Sequence, residues 1–112
     1  MDLEEARVKI LQVFRKFLDP EKLFLILIGS QTEKKRPLSD LDLLFFYLGS
    51  VDDLTFLKLK EALNQLEEIP VPIDLIEGNK VSVEFLTFAL NEGKIWHIGK
   101  DFVKNLKTLK EP

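Results

Sequence analysis

Apolar positions follow two different periods along this chain. Over residues 2–18 they recur at helical spacing, with Ala6, Ile10, Val13, Phe14 and Phe17 on one side, which predicts an amphipathic helix. Asp2, Glu4 and Glu5 suit the positive end of that helix, and Asp19-Pro20 stops it. The pattern then becomes continuous. Leu23-Phe24-Leu25-Ile26-Leu27-Ile28 reads as a near-continuous apolar strand within 22–29, central in a sheet. A polar loop over 30–39 ends in Pro37-Leu38-Ser39 and leads to a second strand over 40–48.

Helical spacing returns from Val51 to Ile69, through Phe56, Leu59, Leu63 and Leu66, with Asp52 and Asp53 in the first turn and Pro70 closing it. Residues 71–77 read as a third strand with Pro72 at its start or on an edge, ending at Gly78-Asn79. Ser82 caps a short helix through Leu90 and Gly93 stops it. Lys94 to Ile98 is a fourth strand, and Asp101 to Leu109 a terminal helix. The order αββαβαβα predicts an α/β (α+β) fold in one domain over 1–112: a mixed sheet with helices packed on it. The loop at 30–39 lets the first two strands lie antiparallel, so that Gly29-Ser30 ends beside the start of the second. The helix at 51–69 permits a parallel crossover to the third.

Composition narrows the functional classes. With 112 residues, 46% of them hydrophobic, the chain can build a real core. Its longest apolar run, Leu23 to Ile28, is strand-sized and too short to cross a membrane. The acidic start, Met1-Asp2-Leu3-Glu4-Glu5, lacks the basic-then-apolar order of a signal peptide. No cysteine is present, which excludes disulfides and thiolate zinc sites, and a single histidine excludes a multi-histidine metal cluster. A cytoplasmic location is the expectation. The net charge of −3 argues against general nucleic-acid binding, and the one dense basic run is Lys34-Lys35-Arg36.

The chemistry concentrates around the second strand. Asp40 and Asp42, spaced i, i+2, point to one face of an apolar strand, where two like charges are costly unless a cation lies between them. Asp74, between Ile73 and Leu75, joins them if the second and third strands are neighbours; an aspartate in a buried strand needs a partner. Gly29-Ser30 offers backbone N–H groups and a hydroxyl to a phosphate. Three carboxylates beside a phosphate-binding turn suit two-metal nucleotidyl transfer, in which two Mg²⁺ ions about 3.5–4 Å apart stabilise attacking and leaving oxygens. Asp40, Asp42 and Asp74 are the candidate catalytic and metal residues; Gly29, Ser30 and Ser39 are the candidate nucleotide-binding residues. Each element has a plainer reading on its own. Gly29-Ser30 is also an ordinary turn, Ser39-Asp40 a helix cap, and Asp74 a satisfied polar group. His97 reads as a packed or edge histidine, and Trp96 and the phenylalanines as core.

These residues resemble a known family. Gly29-Ser30, Asp40-Leu41-Asp42 and Asp74 in Pro72-Ile73-Asp74-Leu75 match the minimal nucleotidyltransferases (MNT) of the DNA polymerase β superfamily, and Asn91-Glu92-Gly93-Lys94 before Ile95-Trp96 is similar to their ending. The resemblance implies a polymerase β palm-like fold, Mg²⁺ on the aspartates, ATP as substrate and Gly-Ser on its phosphates. It departs after Gly-Ser, where relatives carry a small Arg- and Gly-containing segment and this chain has Gln31-Thr32-Glu33-Lys34-Lys35-Arg36.

The resemblance also implies a partner. Such proteins are often antitoxins paired with a HEPN-domain ribonuclease, and some transfer AMP to a tyrosine hydroxyl of that toxin. A chain this short has little room for its own acceptor-binding domain, which fits an acceptor supplied by a partner. The competing readings are a non-catalytic antitoxin acting by direct binding, and nucleotidyl transfer to a small molecule. The nucleotide base and oligomeric state, including a homo-oligomer, stay open.

Overall fold

The computed structural model describes residues 2–28 and 40–104. Helix α1 (Leu3–Arg15) opens on Asp2, whose carboxylate accepts from the Glu4 N–H. Its apolar stripe, Ala6, Ile10, Val13 and Phe14, is the one read from the spacing, and it is buried. The helix stops three residues before the expected end. Lys16 and Phe17 donate to the Val13 and Phe14 carbonyls as turns, which carries Leu18 into the core ahead of Asp19-Pro20. A 3₁₀ turn at Pro20–Lys22 leads into β1 (Leu23–Ile28), and β2 (Leu41–Tyr47) follows.

Helix α2 (Asp53–Asn64) is capped by Asp52, which accepts from the Thr55 N–H at 2.7 Å. It ends at Asn64, short of the expected Ile69, although turn bonds from Gln65, Leu66 and Ile69 keep Ile69 buried. Strand β3 (Ile73–Glu77) begins only after Pro72, which has no N–H to contribute to a ladder. Helix α3 (Val83–Glu92) starts from the Ser82 cap and runs two residues past Leu90 to Gly93. Strand β4 (Lys94–Ile98) matches its expected span. The chain is helical again over 100–104; the rest of the expected terminal helix lies outside the described residues.

The sheet order is β3-β2-β1-β4. Strand β1 pairs antiparallel with β2 and β4, and β2 pairs parallel with β3. The antiparallel first pair and the parallel crossover are therefore as expected.

The period of two gives the sheet unequal faces. On one face Leu23, Leu25, Leu27, Leu41, Leu43, Phe45, Ile73 and Leu75 pack with the buried sides of α1 and α2 into the main core, joined by Trp96. Phe14 meets Phe45 edge-on at 6.0 Å, and Phe56 stacks on Phe45 at 6.2 Å. The other face carries a smaller cluster of Ile26, Ile28, Leu44 and Ala89, partly covered by Phe85 and Leu86 of α3. Gly93 lets the end of α3 settle on this face, since a Cβ there would lie 2.6 Å from Ile26 Cγ2 and 3.0 Å from Ile28 Cγ2. Among the described residues no helix is long and apolar enough to cross a membrane.

Candidate active site

The smaller face is built in rows across the sheet. In the middle row Ile76, Leu44 and Ile26 are register partners and belong to the apolar cluster. A further row sets Phe46 beside Phe24, with ring centroids 6.1 Å apart. The row at the opposite end places Asp74, Asp42 and Ile28 side by side. Two carboxylates thus stand where the pattern of the face calls for apolar residues.

Strand register, not proximity in sequence, brings Asp42 and Asp74 together. The parallel ladder aligns Leu41 with Ile73 and Asp42 with Asp74, and it starts where the Leu41 N–H donates to the Pro72 carbonyl at 2.9 Å. Asp42 is half-buried. Its carboxyl is held above the usual aspartate range, first by burial, then by the negative charges of Asp74 and Asp40.

Two expectations change. Asp40 lies one residue before β2 and is exposed, so it flanks the strand face rather than sharing it as a strand residue. Asp74 is exposed because β3 is an edge strand; it is not a buried aspartate in need of a partner. Gly29, Ser30, Ser39 and the Lys34-Lys35-Arg36 run lie outside the described residues. Trp96 is core, as expected. His97 is packed, its Nε2 2.7 Å from the Pro20 carbonyl oxygen, well away from the acidic row. Glu77 pairs with Lys80 at 3.3 Å.

Among the described residues no group of three or more acidic or histidine side chains is placed to hold a metal ion. The donor set nevertheless fits Mg²⁺. That ion takes oxygen ligands, keeps several waters, and is held by one or two carboxylates together with substrate phosphates rather than by a cage made wholly of protein. Asp42 with Asp74 supplies such a pair of oxygen donors at adjacent register positions.

Asn64 is the contact that the sequence pattern did not reveal. Its side-chain oxygen accepts from the Ile73 N–H at 2.8 Å while its amide nitrogen donates to the Ile73 carbonyl at 3.0 Å. An asparagine near a helix end is too common to signal such a bond.

A family model described as "Polymerase beta, Nucleotidyltransferase" matches residues 8–98. No curated protein matches. Among solved structures, a chain of the toxin–antitoxin MntA-HepT is 17% identical, with 94% of this chain and 85% of that one covered and a TM-score of 0.63. A chain of the tri-AMPylated Shewanella oneidensis HEPN toxin in complex with MNT antitoxin is also 17% identical, covering 94% of this chain and 84% of that one at a TM-score of 0.64. A chain of a toxin–antitoxin with AMP-PNP is 20% identical, covering 93% and 86% at a TM-score of 0.65. At these identities the likeness is one of fold. The family model spans the whole sheet from within α1 to the end of β4, and the chain belongs to the polymerase β nucleotidyltransferase family.

Proposed function

We propose that this chain is a Mg²⁺-dependent nucleotidyltransferase that moves AMP from ATP to a tyrosine hydroxyl of a HEPN-type toxin, acting as the antitoxin of the pair. The observation that carries this reading is the alignment of Asp42 with Asp74, with Asp40 adding its charge to theirs. Family membership supports the reaction class. The fold shared with the MNT partner of a tri-AMPylated HEPN toxin supports the acceptor, and the AMP-PNP-bound toxin–antitoxin supports an adenine nucleotide.

In the reaction, the tyrosine oxygen bonds to the α-phosphorus as the bond to the bridging oxygen breaks, and pyrophosphate leaves. Asp40, Asp42 and Asp74 would hold Mg²⁺ together with the triphosphate. Asp74, exposed at the sheet edge, faces the acceptor and takes up the hydroxyl proton. Bound Mg²⁺ supplies positive charge at the phosphate oxygens. Gly29 and Ser30, which follow Ile28 in sequence, and Ser39, which precedes Asp40, donate to the phosphates.

The test is to mix the chain with a HEPN-domain partner and ATP labelled at the α-phosphate, then map label on the partner by mass spectrometry. Label on a tyrosine that disappears with Asp42→Asn is the expected result. A second reading, masking of the toxin by contact alone, is favoured by Leu54 and Leu57 on α2 and Val83, Phe88 and Leu90 on α3, each more than half exposed. Neutralisation by Asp42→Asn as complete as by wild type, with no label transferred, selects that reading.

A further inference from the structure

We propose that Asn64 is a positioning residue for the carboxylate pair: through Ile73 it fixes the edge strand that carries Asp74, and so sets the separation of Asp74 from Asp42. The inference rests on the metal-site reading above and adds to it a residue outside the acidic cluster.

Among the described residues strand β3 has a neighbouring strand on one side only. Along a strand, successive residues direct their N–H and C=O groups to alternate sides. Pro72 turns its carbonyl toward β2, where it accepts from Leu41 at 2.9 Å. Ile73 therefore points both backbone groups to the open side. An open edge is where a strand is free to fray or to take another chain.

Asn64 occupies that edge. Its carboxamide accepts from the Ile73 N–H at 2.8 Å and donates to the Ile73 carbonyl at 3.0 Å, which is the pair of bonds a neighbouring strand would make. The same amide nitrogen also donates to the Lys60 carbonyl at 3.0 Å, one turn back in α2. Ile73 is thus tied to the end of a helix whose Leu59 and Leu63 are locked in the main core.

The residue after Ile73 is Asp74. Because Ile73 is buried at 3% exposure, its side chain and its outer backbone edge are both held. The exposed Asp74 carboxylate is thus held beside Asp42 by the ladder on one side and by the anchored residue that precedes it. Two like charges at adjacent register positions push apart, and an edge strand is the one free to yield. The Asn64 bonds resist that separation when no cation is present.

The test uses the full chain with Asn64→Leu, which keeps side-chain bulk and improves helix propensity so that the variant folds, and Asn64→Gln, which keeps the carboxamide. Three quantities are read: exchange protection of the Ile73 amide in metal-free protein, Mn²⁺ affinity by paramagnetic titration, and thermal midpoint in chelator. The expected result is a protected Ile73 amide in wild type, protection lost in Asn64→Leu, and Mn²⁺ affinity about tenfold weaker. Asn64→Gln should recover part of that affinity. A merely structural role lowers the thermal midpoint and leaves the Mn²⁺ affinity of the folded protein unchanged, and that outcome overturns the inference. Wild-type protein that binds no Mn²⁺ while Ile73 stays protected overturns the metal-site reading, and the positioning role falls with it.

Discussion

Asp42 on β2 and Asp74 on β3 are direct partners in a parallel ladder, at the end of a sheet face whose next row is wholly apolar. That placement costs stability in the absence of a cation. The Asp42→Asn variant is therefore expected to melt at a higher temperature than wild type in chelator, while nucleotidyl transfer falls by more than about 100-fold, as for loss of a group that stabilises transition-state charge. Calorimetry in chelator and a label-transfer assay check the two halves. A lower melting temperature with activity retained would remove Asp42 from the site.

The raised Asp42 carboxyl makes metal-free stability depend on pH. A group whose folded pKa exceeds its unfolded value binds its proton more tightly in the native state. Its stabilising contribution is complete below the unfolded value of 3.8 and is lost as pH rises through the higher folded value. The denaturation midpoint of wild type relative to Asp42→Asn should accordingly fall as pH climbs from below that value. The same pH series with saturating Mg²⁺ should flatten or reverse the trend, because the ion favours the charged carboxylate.

Ligand linkage offers a test that needs no partner protein. ATP with Mg²⁺ at about one hundred times its dissociation constant should stabilise the native state by about 2.7 kcal/mol. For a domain of this size that is a rise of several degrees in melting temperature. The rise should vanish in chelator and in Asp42→Asn.

Gly93 is expected to tolerate no side chain. A Cβ there would lie 2.5 Å from the Ala89 carbonyl oxygen and 2.6 Å from Ile26 Cγ2, so Gly93→Ala must push α3 away from the sheet. The cost should be about 1–3 kcal/mol, read from chemical denaturation. Ile28, also in contact with that position, is the register partner of Asp42, so the variant should weaken Mg²⁺ binding as well.

Local physics determined much of this protein from sequence alone. The 3.6-residue spacing of Ala6, Ile10, Val13 and Phe14 fixes the buried face of α1, and Ser82 starts α3 because its hydroxyl accepts from the Phe85 N–H. The continuous run Leu23–Ile28 marks β1 as a strand covered on both faces, because alternate side chains enter two different clusters. The i, i+2 aspartates and a third in the next strand were visible for the same reason: a carboxylate in an apolar run breaks the pattern. Tertiary structure alone decided that β3 is an edge, which leaves Asp74 exposed, and that β2 begins at Leu41, which leaves Asp40 beside the strand. It also decided that Asn64 meets Ile73. Edge position, ladder ends and side-chain-to-backbone bonds depend on which elements become neighbours in space. Periodicity reports which side of an element is apolar, but carries no record of what lies across from it.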